Sequence, residues 1–315
     1  MLIKTYELWP GRHDVTLTVF IHTSDHIFAS KNKRPAIICC SGGGFIECSR
    51  DGDGGDHVAM SFASDGYNAF VLQYSSADRS KKEDVLFPSQ MYDLGKAILM
   101  IRQHADEWKT DPDKITIVGF SAGACICALY ATTYHQDHML KKLNAAACDL
   151  EISAALLIYG IYDFKALLRY QNEHPAPDGI NAGPDGIQCI FGQKNPSKEQ
   201  LERYSPICQV SSMTPPLFLA AAIDDPAIPA VQTLDMAKKC HEEQIPYEVH
   251  VFQRGGHGFS LGRYLADEYR QDKALSCSAW VPMAKTFLTH LFAPESAEHE
   301  PDFEKLMKML AEGNK

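Results

Sequence analysis

Four short runs in the chain hold residue types suited to acyl transfer. The first is Gly119-Phe120-Ser121-Ala122-Gly123. It follows the apolar run Ile115–Val118 and opens a helical pattern at Ala122, so Ser121 falls on a strand–turn–helix corner that exposes its hydroxyl. Glycines two before and two after let neighbouring chain come close, and the helix N-terminus favours developing negative charge. The second run is Cys40-Ser41-Gly42-Gly43-Gly44-Phe45, after another apolar stretch. A tetrahedral oxyanion needs backbone N–H donors aimed at it, and the amides of Gly43, Gly44 and Ala122 are the candidates. The third is Ile223-Asp224-Asp225-Pro226-Ala227-Ile228-Pro229, where an aspartate just past a strand can reach a histidine. Asp225 fits the pattern Asp-x-x-(Val/Ile)-Pro, whereas Asp224 points to the other side if the chain stays extended, so Asp225 is the reading adopted. The fourth is Gly255-Gly256-His257-Gly258, a histidine on a glycine-flanked loop. It is free to swing over Ser121, take its proton and hand it on to a leaving group.

Other motifs carry less. Gly-Gly-Gly-Phe is not the spacing of a dinucleotide fingerprint, and no acidic partner follows a second strand. Asp51-Gly52-Asp53-Gly54-Gly55-Asp56 invites a calcium reading but lacks the terminal glutamate and paired helices of an EF-hand. A flexible loop before a helix is the expectation there. His135 and His138 stand at helical metal spacing without an evident third ligand, so they read as a solvated helix end. His250, inside a strand, reads as structural. No CxxC pair occurs, and Cys39-Cys40 sit in an apolar run as small core residues. Neither a metal nor a cofactor is expected.

The elements that must position these runs are legible as a rhythm. Ile3–Leu8 and Val15–His22 read as an antiparallel edge. Buried parallel strands follow at Ala36–Cys40, Ala69–Gln73, Ile115–Val118, Ala154–Tyr159, Leu217–Ala222 and Tyr247–Phe252. Helical patterns lie between them at Asp56–Asp65, Ser89–Trp108, Ala122–Tyr134, Val231–Gln244 and Val281–Phe292. The alternation predicts an α/β fold, an eight-stranded mostly parallel sheet with helices on both faces, in a single domain spanning residues 1–315. Residues 172–216, rich in Pro and Gly, interrupt the rhythm where a cap or lid insertion would lie. The charged tail 293–315 carries one amphipathic stretch around Phe303, Leu306, Met307 and Leu310. It is expected to form a helical tail on the body or on a second copy of the chain, which leaves a homo-oligomer open.

Composition narrows the class. The 315 residues carry a formal net charge of -10, which disfavours nucleic acid and anionic membrane surfaces as partners. No window reaches the about 18 uninterrupted apolar residues of a membrane span. The start carries Lys4 and Glu7 without an apolar core, so no signal peptide is expected. The ten cysteines are then expected as thiols in a cytoplasmic protein.

Taken jointly, these pieces resemble the small bacterial α/β-hydrolases known as esterase/lipase or acetyl-xylan-esterase-like proteins, related to the feruloyl-esterase-like branch. The likeness runs from about Pro35 to about Phe292. It includes Gly42–Phe45, the run Gly66-Tyr67-Asn68-Ala69-Phe70-Val71-Leu72-Gln73-Tyr74, the segment from Trp108 through Asp111-Pro112-Asp113-Lys114-Ile115, and the elbow at Ser121. Tyr204-Ser205-Pro206, Thr214-Pro215-Pro216 and Gly255–Phe259 complete it. The glycine loop resembles the HGGG-type oxyanion loop with Ser41 in place of histidine, and the order Ser–Asp–His is that of the α/β-hydrolase fold. The resemblance implies a serine carboxylesterase for short acyl esters, plausibly acetyl groups on sugars or oligosaccharides, with Ser121, His257 and Asp225 as its triad. Three positions depart from the pattern. Ser41 stands where proline often precedes the glycines, Ser75 where arginine often follows the tyrosine, and Ala221 where a histidine often precedes the acid. The rival readings are a serine peptidase of the prolyl-oligopeptidase type, for which the chain is too short to add a propeller gate, and a non-catalytic binding protein of the same fold.

Overall fold

The computed structural model describes residues 1–23, 33–174, 184–262 and 276–293. The expected amphipathic stretch of the tail and part of the 172–216 segment lie outside the described residues. Eight strands form one sheet: β1 (Leu2–Glu7), β2 (Thr16–Ile21), β3 (Arg34–Cys40), β4 (Asn68–Gln73), β5 (Thr110–Phe120), β6 (Ala154–Ile158), β7 (Leu217–Ala222) and β8 (Tyr247–Phe252). Their order across the sheet is β1-β2-β4-β3-β5-β6-β7-β8. β1 pairs with β2, and β2 with β4, antiparallel; every other pairing is parallel. The antiparallel edge and the eight-stranded count match the expectation.

Among the described residues ten α-helices accompany the strands: α1 (Asp56–Ala63), α2 (Ser89–Gln103), α3 (Ala122–Thr133), α4 (Asp137–Leu143), α5 (Ala147–Leu150), α6 (Phe164–Glu173), α7 (Pro184–Phe191), α8 (Lys198–Arg203), α9 (Val231–Glu242) and α10 (Trp280–Phe292). Side chains alternate across each strand, so successive apolar residues feed two separate cores. Ile38, Phe70, Ile117, Leu157 and Leu219 join α2, α3, α6 and α9 on one face. Ile37, Val71, Val118, Leu156 and Ala220 join α1 and α10 on the other. The alternation read in β2 lands as expected, with Val15, Leu17, Val19 and Ile21 all in the first core. Helix α3 is buried at all twelve of its residues.

Two boundaries differ from the sequence reading by more than two residues. The helical pattern predicted over Ser89–Trp108 forms a helix only to Gln103, because the chain must turn through Lys109, at φ 51°, to enter the sheet. β5 begins at Thr110 rather than Ile115, since Asp111–Lys114 bulge out between the pairings Arg34–Thr110 and Ala36–Ile115. Asn68 ties these corners together. Its buried amide donates to the Trp108 carbonyl and to Thr110 Oγ1, both at 2.8 Å, and its oxygen accepts from His22 N at 3.1 Å. Removing it leaves buried backbone groups without partners. Asn68→Ala is expected to lower stability by about 2 kcal/mol, read as a shifted urea midpoint at constant slope.

Candidate active site

The elbow is built by backbone constraint. Ser121 sits at φ 52°, ψ -119°, a conformation that L-residues rarely adopt. Its N–H donates to the Ile158 carbonyl at 3.0 Å, and its carbonyl accepts from Cys125 N at 3.1 Å, so strand pairing and helix start clamp it from both sides. The flanking glycines are required by space. A Cβ on Gly119 would lie 2.4 Å from the Gly123 carbonyl oxygen, and one on Gly123 would lie 2.2 Å from the Cys40 carbonyl oxygen.

The side chains predicted from sequence come together there. Ser121 Oγ lies 2.9 Å from His257 Nε2. His257 Nδ1 lies 2.8 Å from Asp225 Oδ2. The Asp225 side chain is fully buried, while that of His257 keeps 26% of its surface exposed. Asp225 Oδ1 accepts from Ala227 N at 2.8 Å and Ile228 N at 2.9 Å, which accounts for the Asp-x-x-Ile-Pro spacing. Asp224 faces elsewhere: its Oδ1 accepts from Gly255 N and Gly256 N at 2.8 and 2.7 Å, anchoring the loop that carries the histidine. The two adjacent aspartates thus do different work, one on the imidazole and one on its loop.

The glycine loop lies beside the serine. A Cβ on Gly42 would sit 3.1 Å from Ser121 Cβ. Gly42 N is engaged by the Asp53 carbonyl at 2.8 Å. Among the described residues, no carbonyl takes the amides of Gly43, Gly44 or Ala122. Gly43 and Gly44 adopt φ 129° and 61°, open to glycine alone without strain. The described part of the 172–216 segment packs on this loop, where a Cβ on Gly186 of α7 would lie 2.2 Å from the Gly44 carbonyl oxygen. Ser75, which departs from the arginine of the resembling pattern, accepts from the Arg12 guanidinium at 3.0 Å, so a cation meets it from the β1–β2 turn.

Two groups escaped the sequence reading. The Asp51–Asp56 run, expected as a flexible loop, is packed tightly: a Cβ on Gly54 would fall 2.2 Å from the Phe120 ring. Its Asp53 carboxylate accepts from the Tyr159 hydroxyl at 2.8 Å. Tyr159, read only as a strand end, stands edge-on to His257 with centroids 5.3 Å apart. Its place just after a strand's carboxyl end is the signal that could have found it. His135 lies in the break between α3 and α4 and His138 in the first turn of α4, and no metal-binding cluster of His, Cys, Asp or Glu occurs among the described residues. His250 pairs with Glu248 at 2.7 Å and stacks on Phe252. No helix among the described residues is long and apolar enough to cross a membrane.

The BD-FAE family matches residues 27–240, and the dienelactone hydrolase family matches residues 193–291. Endo-1,4-beta-xylanase B of Butyrivibrio fibrisolvens is 28% identical over 247 residues, covering 78% of this chain and 34% of its own. An acetyl esterase of Salmonella paratyphi B is 26% identical over 244 residues, covering 74% of this chain and 68% of its own. The carboxylesterase Cest-2923 of Lactobacillus plantarum WCFS1 superposes with a TM-score of 0.76 at 22% identity, over 94% of this chain and 100% of that one, and carries the same fold. The chain spans from about a third to just over half of the length of several curated relatives that it matches.

Gly123→Ala tests the elbow. The added methyl must push the strand β3 exit and the glycine loop off α3. Fluorophosphonate labelling of Ser121 is expected to slow by about a hundredfold or more in protein that remains folded by circular dichroism.

Proposed function

The chain belongs to the BD-FAE family and has the α/β-hydrolase fold, and on that footing we propose that it is a serine carboxylesterase acting through an acyl-enzyme. The observation that carries the reading is the unbroken line from Ser121 Oγ through His257 to the buried Asp225 carboxylate, beside three amides that no carbonyl among the described residues takes. Ser121 attacks the ester carbonyl as His257 Nε2 takes its proton. Asp225 orients the ring and stabilises its charged form. The amides of Gly43, Gly44 and Ala122 hold the oxyanion, the protonated His257 delivers its proton to the departing alcohol, and the acyl group stays on Ser121. His257 then takes a proton from water, whose oxygen attacks the acyl carbon, and the acid leaves with Ser121 restored. No cofactor enters this sequence.

The substrate proposed is a short acyl ester, with acetyl groups on a sugar or oligosaccharide as the specific case. The names of the relatives support it: one is a xylanase and another an acetyl esterase.

Ser121→Ala is expected to reduce p-nitrophenyl acetate hydrolysis by about a million-fold. Retained turnover would sink the mechanism. Asp225→Asn is expected to lower kcat by about ten-thousandfold. Asp224→Asn, which weakens only the loop anchor, is expected to cost far less, and the reverse order would move the acid to Asp224. A panel of acetylated xylosides, feruloyl esters, p-nitrophenyl esters of rising length and a peptidyl amide reads out specificity. The acetylated sugars are expected to give the highest kcat/KM and the amide none.

A further inference from the structure

Between the glycine loop and the histidine loop lies a hydrogen-bonded chain that the acyl-transfer mechanism does not use. The Tyr159 hydroxyl donates to the Asp53 carboxylate, 2.8 Å from both oxygens, and accepts from Ser260 N at 2.9 Å. Ser260 lies three residues after His257. It is held further by His57 Nε2, 2.6 Å from its Oγ, and by Trp280 Nε1, which donates to its carbonyl at 2.7 Å. At the other end, the Asp53 carbonyl accepts from Gly42 N at 2.8 Å. A Cβ on Gly42 would stand 3.5 Å from Asp53 Oδ2 and 3.1 Å from Ser121 Cβ, so the carboxylate flanks the serine across that glycine. The Tyr159 ring meets His257 edge-on at 5.3 Å and Phe259 at 4.5 Å. Tyr159 itself is held at φ 42°, a backbone strain that only its surroundings can maintain. Burial pushes the Asp53 carboxyl up from its ordinary value, and the Tyr159 hydroxyl counters that shift.

We propose that Asp53 and Tyr159 are positioning residues that lock the glycine loop and the His257 loop into one arrangement, so that imidazole and oxyanion amides address the same carbonyl. Asp225 fixes the imidazole in its plane through Nδ1. Tyr159 supports it from the side and, through Ser260 N, fixes the loop on which it rides. Asp53 sets the direction of the Tyr159 hydroxyl and, through its own carbonyl, the path of the glycine loop. This inference rests on the acyl-enzyme reading of Ser121 and adds a second support to its base.

The test is a double-mutant cycle on the full chain with p-nitrophenyl acetate. Tyr159→Phe and Asp53→Ala are each expected to lower kcat about tenfold with KM within about twofold, and the double variant to lose about tenfold rather than about a hundredfold. Asp53→Asn keeps an acceptor for the Tyr159 hydroxyl and is expected to restore kcat to within about threefold of the parent. Melting curves accompany each variant. If Asp53→Ala does not fold, Tyr159→Phe and Asp53→Asn still decide between the outcomes. Losses that multiply, losses that fall on KM, or an Asn variant as slow as Ala would each overturn the proposal. Fluorophosphonate labelling of the parent separates the two readings. An unlabelled Ser121 defeats the acyl-enzyme reading and this inference with it, whereas a labelled parent without the coupled kcat losses defeats this inference alone.

Discussion

A single backbone conformation underlies the site. Ser121 is held at φ 52°, in a region that costs about 1–3 kcal/mol for a residue with a side chain. Nothing local would keep it there. The β5–β6 ladder takes its N–H, α3 takes its carbonyl, and two glycines remove the methyl groups that would collide with strand β3 and the helix. That turn places the hydroxyl above the carboxyl ends of the strands, where the loops after β3, β6, β7 and β8 converge. Each loop delivers one component: the Gly43 and Gly44 amides, Tyr159, Asp225 and His257.

Those features that depend on backbone geometry were legible in the sequence, because geometry selects residue types. Gly119, Gly123, Gly43 and Gly44 mark places where a Cβ cannot fit or where φ is positive, and a reader of sequence sees them as glycines in a pattern. The choice of Asp225 over Asp224 rested on the Ile-Pro that follows, and the structure supplies its reason in the two amides that cap Oδ1. The strands and long helices were legible from periodicity. The Asp53–Tyr159 chain was not, since its two residues lie 106 positions apart and a position at a strand's carboxyl end marks Tyr159 without marking its partner. The bulge in β5 was hidden for a similar reason: its cause is the register of a neighbouring strand, not the composition of Asp111–Lys114 itself.

The region around the glycine loop shows how a shared scaffold is given a particular pocket. Gly186 of α7 presses on the Gly44 carbonyl, so the segment between β6 and β7 forms part of the wall nearest the candidate oxyanion site. Arg12 reaches the Ser75 hydroxyl from the β1–β2 turn. Both adjustments come from outside the sheet's parallel core, and neither disturbs the side chains on the proton path.

Helix α3 carries a consequence for how the protein folds. Its sequence, Ala122–Thr133, is buried on every side and contains no charged residue. An amphipathic helix can half-form against solvent, but one that is apolar all round gains stability only once both neighbouring layers close over it. Ser121 is the N-cap of that helix, so its turn is fixed only where α3 is in place, and a state that leaves α3 uncovered exposes an uncharged stretch to self-association. Refolding is therefore expected to align Ser121 only as the layers on both faces of α3 close over it.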